Sequence, residues 1–256
     1  MKVKNLFDVS GKVVLITGSS RGLGFVFANG FAEADATVII NGTNKETVQQ
    51  AVEQIRQKGG RAAGYPFDVT DSEQVAQNIA RIEKEVGEID VLINNAGIQR
   101  RAPLEELTLE NWQAVIDVNL NAVFFVTQCV VKGMIRRSRG KIINITSLNA
   151  EAARPTIGNY CAAKGGLTML TKSMATEWGQ YNIQTNAIGP GYFVTDLTKP
   201  LAEDPAFDAF VKQNVPLGRW GDPSELIGPA IFLASEASNY VNGRTLYVDG
   251  GWRASL

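Results

Sequence analysis

The 256-residue sequence contains no histidine. A Ser-His-Asp hydrolase and a zinc site with a histidine ligand are therefore excluded. Any proton transfer has to use Tyr, Lys, Asp, Glu or Cys. The sequence also lacks a cluster of metal-ligating residues, so we expect no metal site.

Cysteine, net charge and long apolar runs are scarce as well. The two cysteines, Cys129 and Cys161, form no disulfide framework and fit a reducing compartment. The net charge of −1 argues against nucleic acid or an anionic membrane as a partner. No run approaches about 18 consecutive apolar residues, and residues 1–8 lack the apolar core of a signal peptide. We therefore expect a cytoplasmic protein.

A glycine-rich stretch within residues 12–31 predicts a phosphate site. Residues 12–17 suit a strand buried on both faces, and apolar residues at helical spacing follow Gly18, Gly22 and Gly24. Glycines let the backbone approach a pyrophosphate, and a helix N-terminus offers free N–H groups. The spacing G-x-x-x-G-x-G differs from G-x-G-x-x-G, so a plain glycine-rich turn is the alternative.

Strands alternate with helices along the chain. We expect strands at residues 12–17, 36–41, 61–67, 89–93, 141–146, 182–188 and 245–248. A first helix follows the glycine-rich stretch, and further helices are expected at residues 45–58, 70–86, 109–137, 156–180 and 223–235. This alternation predicts an α/β, doubly wound (Rossmann) seven-stranded parallel sheet with helices on both faces. We expect a single domain over residues 1–256, with a substrate loop at about 190–219 and a ligand crevice beyond the carboxyl ends of the strands.

Tyr160 and Lys164 are four residues apart on a predicted helix, so their side chains leave the same face. An ammonium near a phenol favours the phenolate, so we expect a lowered tyrosine pKa and proton exchange near neutral pH. Ser147 follows the fifth strand and could donate to a substrate oxygen, or it could cap a turn. Asn119 is unfavourable inside a helix and could hold a carbonyl or a water, or could simply be tolerated.

Taken together, these residues resemble the short-chain dehydrogenase/reductase family over nearly the whole chain. The matching motifs are residues 17–24, Asp68-Val69, residues 94–97, Asn119, Ser147, residues 160–164, Pro190-Gly191 and Thr195. The resemblance implies NAD(P)-dependent interconversion of secondary alcohols and ketones. It also implies a homotetramer that buries the two long helices and residues 245–251.

The resemblance also implies the roles of the site residues. Tyr160 would be the acid/base, Lys164 would bind the nicotinamide ribose, Ser147 would position the substrate oxygen, and Asn119 would hold a water in a proton relay. The predicted coenzyme site comprises Gly18, Ser20, Arg21, Gly22, Leu23, Gly24, Asn41, Thr43, Asp68, Val69, Asn95, Ala96, Gly97, Tyr160, Lys164, Pro190, Gly191 and Thr195.

The choice between NAD and NADP depends on the end of the second strand, where an NAD enzyme usually has Asp or Glu. Residues 41–44 contain no carboxylate there. Arg21 could pair with a 2′-phosphate, or it could be a solvated surface arginine. We expect NADP, although Asn41 and Thr43 could also serve the ribose hydroxyl of NAD.

Arginines beside the predicted catalytic strand ends indicate an acidic substrate. The predicted substrate residues are Arg101, Ser147, Glu151, Arg154 and Tyr160. Residues 94–101 and 218–223 resemble those of family members that interconvert D-gluconate and 5-keto-D-gluconate. The alternatives are deoxy-keto sugar acids, neutral ketones, sugars or acyl-carrier thioesters as substrates, or a catalytically inactive nucleotide-sensing protein. The arginines could instead be solvated or paired with Glu105 or Glu106.

Overall fold

The computed structural model describes residues 3–195 and 198–255. The strands are β1 (Val13–Ile16), β2 (Thr37–Gly42), β3 (Arg61–Pro66), β4 (Val91–Asn94), β5 (Gly140–Ile145), β6 (Ile183–Pro190) and β7 (Thr245–Val248). They form one seven-stranded parallel sheet in the order β3-β2-β1-β4-β5-β6-β7. The strand order reverses between β1 and β4, which places the ligand crevice at their carboxyl ends. The predicted doubly wound fold is confirmed.

Helices cover both faces of the sheet because its strands are apolar on both sides. They are α1 (Gly22–Glu33), α2 (Lys45–Gln57), α3 (Ser72–Glu85), α4 (Leu109–Ile116), α5 (Ala122–Arg136), α6 (Gly158–Trp178), α7 (Lys199–Ala202), α8 (Pro205–Asn214) and α9 (Ile227–Ala234). In β1, Val14 and Ile16 join a core shared with α1, α2 and α9. Leu15 joins the opposite core, shared with α3 and α5. Side chains therefore alternate between two cores, as the strand period requires.

The helix predicted at residues 109–137 is interrupted. A π-helical turn, Asp117–Asn121, separates α4 from α5, and the N–H of Ala122 donates to the carbonyl of Asp117. By length and composition alone, the run Leu109–Arg136 is apolar enough to cross a membrane. One face of α5 packs in the core with α3 and β4. Its apolar character therefore serves, at least in part, to cover the sheet.

The stretch predicted as a substrate loop at about 190–219 carries the short helices α7 and α8. Positions 196 and 197 lie outside the described residues. A single bridge pairs Phe193 with Gly221 and closes this segment over the end of β6. The helix predicted at residues 223–235 begins as a 3-10 turn, where Asp222 and Glu225 form a capping box.

Candidate active site

The glycine loop after β1 is shaped by close approaches that a side chain would block. Gly18 has a φ of +61°, and a Cβ there would lie 2.9 Å from the Ala96 Cα. A Cβ on Gly24 would lie 2.4 Å from the Gly18 carbonyl oxygen and 2.5 Å from Asn95 Nδ2. The loop can therefore pack against the end of β4 only with glycines at these positions. The N-terminus of α1 follows directly and offers its free N–H groups to a phosphate.

Asn95 and Thr17 join the glycine loop to the β4 end. Asn95 Nδ2 donates to the carbonyl oxygens of Thr17 (2.9 Å) and Gly18 (3.1 Å). Thr17 Oγ1 accepts from the backbone N–H groups of Asn95 and Ala96, at 3.0 and 3.1 Å. Thr17 belongs to a matching motif, but its sequence position alone predicted no role. Its hydroxyl can bond to residues 95 and 96 because β1 and β4 are neighbours in the sheet.

Asn41 has a different position from the one expected. Its side chain is only 1% exposed. Its Oδ1 accepts from the Gly18 N–H at 3.1 Å, and its Nδ2 donates to the carbonyls of Tyr65 (3.3 Å) and Phe67 (3.1 Å). All of these partners belong to the protein, so the Asn41 side chain supports the glycine loop from behind. These bonds disfavour the alternative in which the Asn41 side chain serves the ribose hydroxyl of NAD.

Three other residues of the predicted coenzyme site, Arg21, Thr43 and Asp68, follow strands β1, β2 and β3. Arg21 and Thr43 are exposed, and Arg21 is the residue just before α1. Asp68 accepts from the N–H and the hydroxyl of Thr70, at 2.8 and 2.7 Å, which fixes its carboxylate at the end of β3. Contacts of these side chains with a coenzyme stay predictions.

Ser147, Tyr160 and Lys164 are brought together beyond the end of β5. The Ser147 side chain lies close enough to Tyr160 to affect its pKa and accepts from the Asn149 N–H at 3.1 Å. Lys164 Nζ lies 5.6 Å from the centre of the Tyr160 ring and donates to the Ile145 carbonyl at 2.8 Å. Ser147 therefore caps a short turn, and its hydrogen bond to a substrate oxygen stays a prediction.

Burial determines the proton affinities of this pair. It raises the pKa of Tyr160 above its ordinary value, while the neighbouring Ser147 side chain acts in the opposite direction. Burial also lowers the pKa of Lys164 to about 8. The expectation of a lowered Tyr160 pKa is thus wrong for this arrangement. The structure favours a neutral phenol beside a lysine that loses its proton easily.

Asn119 lies in the π-helical turn and is fully buried. Its Nδ2 donates to the carbonyls of Ile98 and Val115, both at 2.9 Å. Its Oδ1 is buried and accepts no hydrogen bond from the described residues. A Cβ on Gly97 would lie 2.7 Å from this oxygen and 3.7 Å from Lys164 Nζ. The Asn119 side-chain oxygen and the Lys164 amine thus both lie beside Gly97, an arrangement that suits the predicted water in a proton relay.

The segment after β6 follows the predicted turn. The Gly191 N–H donates to the Val248 carbonyl at 2.9 Å, which ties the Pro190-Gly191 turn to β7. The Thr195 N–H donates to Thr198 Oγ1 at 2.9 Å. These bonds hold the segment at the carboxyl end of β6, and its contact with the coenzyme stays a prediction.

The predicted substrate residues Arg154, Arg101 and Glu151 have different surroundings in the structure. Arg154 lies between Ser147 and Tyr160 in the chain, and its guanidinium is in contact with Tyr192 and Phe207. Arg101 is exposed and donates weakly to Thr156 Oγ1 at 3.3 to 3.4 Å. Glu151 forms an ion pair with Arg253, so its carboxylate already has a partner in the protein.

Asn159 is a site residue that sequence analysis missed. It is fully buried, and its Nδ2 donates to the Arg100 carbonyl at 3.1 Å. Its Oδ1 accepts from the Tyr160 N–H at 2.8 Å. Asn159 therefore connects the start of α6 to the loop that carries Arg101. The only signal in the sequence was a polar residue directly before Tyr160.

A glycine cradle beside a paired tyrosine and lysine is the arrangement of an oxidoreductase that moves a hydride and a proton. Residues 18–253 match a family model described as "Enoyl-(Acyl carrier protein) reductase". Over 256 residues and the full length of both chains, the sequence is 48% identical to a gluconate 5-dehydrogenase of Gluconobacter oxydans. The chain belongs to the short-chain dehydrogenase/reductase family.

Two further proteins are similar to this chain over nearly its whole length. A 2-dehydro-3-deoxy-D-gluconate 5-dehydrogenase of Formosa agariphila is 47% identical, with 98% of this chain and 96% of that protein covered. The crystal structure of a gluconate 5-dehydrogenase from Burkholderia cenocepacia J2315, in complex with NADP and tartrate, is 47% identical. It superposes with a TM-score of 0.97 and covers 100% of both chains.

The pH dependence of turnover should reflect the Tyr160–Lys164 pair. Phenol with neutral amine and phenolate with ammonium carry the same number of protons, so the apparent pKa belongs to the pair. The first proton leaves as the pH rises through about 8, the pKa of Lys164. Oxidation needs the pair to accept a proton, so its kcat/KM should rise with pH through about 8, whereas that of reduction should fall.

The check is the pH profile of kcat/KM in both directions between about pH 6.5 and 10. In Lys164→Met the inflection should move to higher pH, because only Tyr160, whose pKa is raised, is left to titrate. A profile of Lys164→Met that overlays the wild-type profile would remove Lys164 from the proton pathway.

Proposed function

We propose that this enzyme interconverts D-gluconate and 5-keto-D-gluconate with NADP(H). The observation that carries the substrate assignment is the position of Arg154. Arg154 lies between Ser147 and Tyr160 in the sequence, and its guanidinium forms no ion pair with the described carboxylates. A guanidinium is the side chain that best matches a carboxylate. The names of the relatives support a sugar acid as the substrate.

Each residue of the site then has a definite task. In oxidation, Ser147 hydrogen-bonds to the substrate oxygen, and Tyr160 accepts the hydroxyl proton as the phenolate. This phenolate belongs to the singly protonated form of the pair in which Lys164 is the ammonium, whose positive charge stabilises it. A bound NADP would accept the hydride at its nicotinamide ring. Reduction uses the same groups in reverse.

NADP is favoured over NAD by the charges around the glycine loop. Arg21 is exposed just before α1 and forms no ion pair among the described residues, so it could meet a 2′-phosphate. No carboxylate follows β2 within residues 42–44. Crystal structures of three similar proteins contain NADP, which agrees with this choice.

The second candidate is a dehydrogenase of 2-dehydro-3-deoxy-D-gluconate, favoured by the 47% identity to the Formosa agariphila protein. Both candidates present a carboxylate, so Arg154 does not separate them. A thioester reductase is disfavoured, because an acidic carrier would select a basic surface and the net charge is −1. Ser147, Tyr160 and Lys164 are together, which disfavours an inactive nucleotide-sensing protein.

The deciding experiment is an initial-rate screen of sugar acids, neutral polyols and their ketones with both coenzymes. We expect turnover of gluconate or its 5-keto product with NADP(H). Turnover of the 3-deoxy acid alone would select the second candidate. Turnover of neutral ketones without any sugar acid would contradict the proposal.

Removing the Arg154 side chain should weaken the binding of the acid specifically. In Arg154→Ala we expect the KM for gluconate to rise about 10-fold or more, because a charge-assisted hydrogen bond is lost. The KM for a neutral ketone and the Kd for NADPH should stay within about two-fold of wild type. Arg81→Ala, which removes an exposed arginine paired with Glu85 on α3, is the matched control. Equal KM changes for acid and ketone would contradict the carboxylate contact.

We also propose a cytoplasmic homotetramer. Large apolar side chains remain exposed on the helices beside the sheet, including Phe124 (44% exposed) on α5 and Met169 (60% exposed) on α6. Sister chains that bury these helices, together with the edge formed by residues 245–251, would cover them. Light scattering in solution measures the assembly directly.

A further inference from the structure

Tyr192 is enclosed by three aromatic rings that the sequence analysis did not single out. Its ring centre lies 5.7 Å from that of Phe207, 5.7 Å from that of Trp220 and 5.0 Å from that of Trp252, all in edge-to-face geometry. These rings come from α8, from the stretch before the capping box and from the turn after β7. Edge-to-face packing from several sides leaves the Tyr192 ring one orientation.

The Tyr192 hydroxyl accepts a hydrogen bond from Arg154 Nη1 at 3.1 Å. The Arg154 guanidinium also lies over the Phe207 ring, with its Cζ 4.7 Å from the ring centre, and 6.0 Å from the centre of Tyr192. Stacking and the hydrogen bond together fix both the plane and the rotation of the guanidinium. Arginine has five N–H donors, so others remain for a ligand.

The turn after β7 supports the same arrangement from the other side. Asp249 accepts from the N–H groups of Gly251 (3.0 Å) and Arg253 (2.9 Å), which shapes the turn that presents Trp252 to Tyr192. Arg253 then pairs with Glu151, three residues before Arg154. The segment that carries Arg154 is thus held at Glu151 and again at Arg154 itself.

We propose that Tyr192 is a positioning residue that orients Arg154 for the substrate carboxylate and so determines the preference for acids. This inference rests on the proposed function, because it assumes that Arg154 meets a carboxylate. Tyr192 acts through Arg154, since its hydroxyl oxygen accepts a hydrogen bond from the guanidinium. Glu151, which was predicted to touch substrate, pairs with Arg253 of the turn after β7.

The test is a double-mutant cycle of Tyr192→Phe and Arg154→Ala, assayed with gluconate and with a neutral ketone. Tyr192→Phe keeps the ring and removes only the hydroxyl. Its KM for gluconate should rise roughly 5-fold or more, the effect of losing a hydrogen bond to a charged group. Its kcat, its KM for the ketone and its melting temperature should be nearly unchanged. In the Arg154→Ala background, Tyr192→Phe should add nothing to the KM for gluconate.

Tyr240→Phe is the control, because it removes the phenol hydroxyl of a fully exposed side chain that belongs to no part of the site. If Arg154→Ala is selective for the acid but Tyr192→Phe is silent, or adds its full effect in the double variant, the role of Tyr192 is refuted and the proposed function stands. If Arg154→Ala shows no selectivity, the carboxylate contact fails and the inference about Tyr192 fails with it.

Discussion

Replacing Tyr160 with Phe should lower kcat by about 10³-fold, within the range expected for loss of general acid–base catalysis. The phenol is the group placed to exchange a proton with the substrate oxygen, since it lies near Ser147 and beside Lys164. The Kd for NADPH should stay within a few-fold of wild type, because the lost proton transfer acts in the transition state. Steady-state rates and a fluorescence titration with NADPH measure the two quantities separately.

Tyr240→Phe serves again as the control and should turn over as the wild type does, because its side chain is fully exposed. Retained turnover in Tyr160→Phe would remove this residue from the acid/base role. A parallel loss of NADPH binding would instead show that the phenol mainly organises the coenzyme site.

Replacing Gly24 with Ala should reduce the affinity for NADPH by about 10-fold or more, since overpacking distorts the surrounding backbone. The new Cβ would lie 2.4 Å from the Gly18 carbonyl oxygen and 2.8 Å from the Ser19 Cα. These are backbone atoms, so the loop has to open to make room. The phosphate cradle and the Asn95 hydrogen bonds would be displaced together.

A Gly→Ala change elsewhere separates this clash from a general effect of the substitution. Gly228 lies on α9 and is exposed, and a Cβ there would have no atom within 4 Å. Gly228→Ala should leave NADPH binding unchanged, because the new Cβ approaches no part of the glycine loop. If Gly24→Ala binds NADPH as tightly as Gly228→Ala does, the cradle is not where the coenzyme sits.

The order of strands and helices was predictable because periodicity is a local property. Apolar residues at spacings of two and of three to four identify β1, α2 and α3 without knowledge of their neighbours. The pairing of Tyr160 with Lys164 was predictable for the same reason, since one helical turn relates them. The glycines of the loop also carry a local signal, because few other residues suit that backbone.

The properties that were missed depend on partners distant in sequence. The Asn41 amide donates to the carbonyls of Tyr65 and Phe67, and the sequence around Asn41 does not reveal these partners. The pKa of Tyr160 depends on burial, which the fold creates and a motif does not reveal. Tyr192 and Arg154 are 38 positions apart. Their contact became visible only when β6 and the loop after β5 were placed side by side.

The π-helical turn gives the long helix two phases. A turn closed from residue i to i+5 contains one residue more than an α-helical turn, so the faces of α4 and α5 are rotated relative to each other. Shortening this stretch by a single residue would restore regular winding and carry Asn119 away from Gly97. The interruption thus trades an ideal helix for an inward-facing amide, and the fold accepts an irregular backbone where the reaction is carried out.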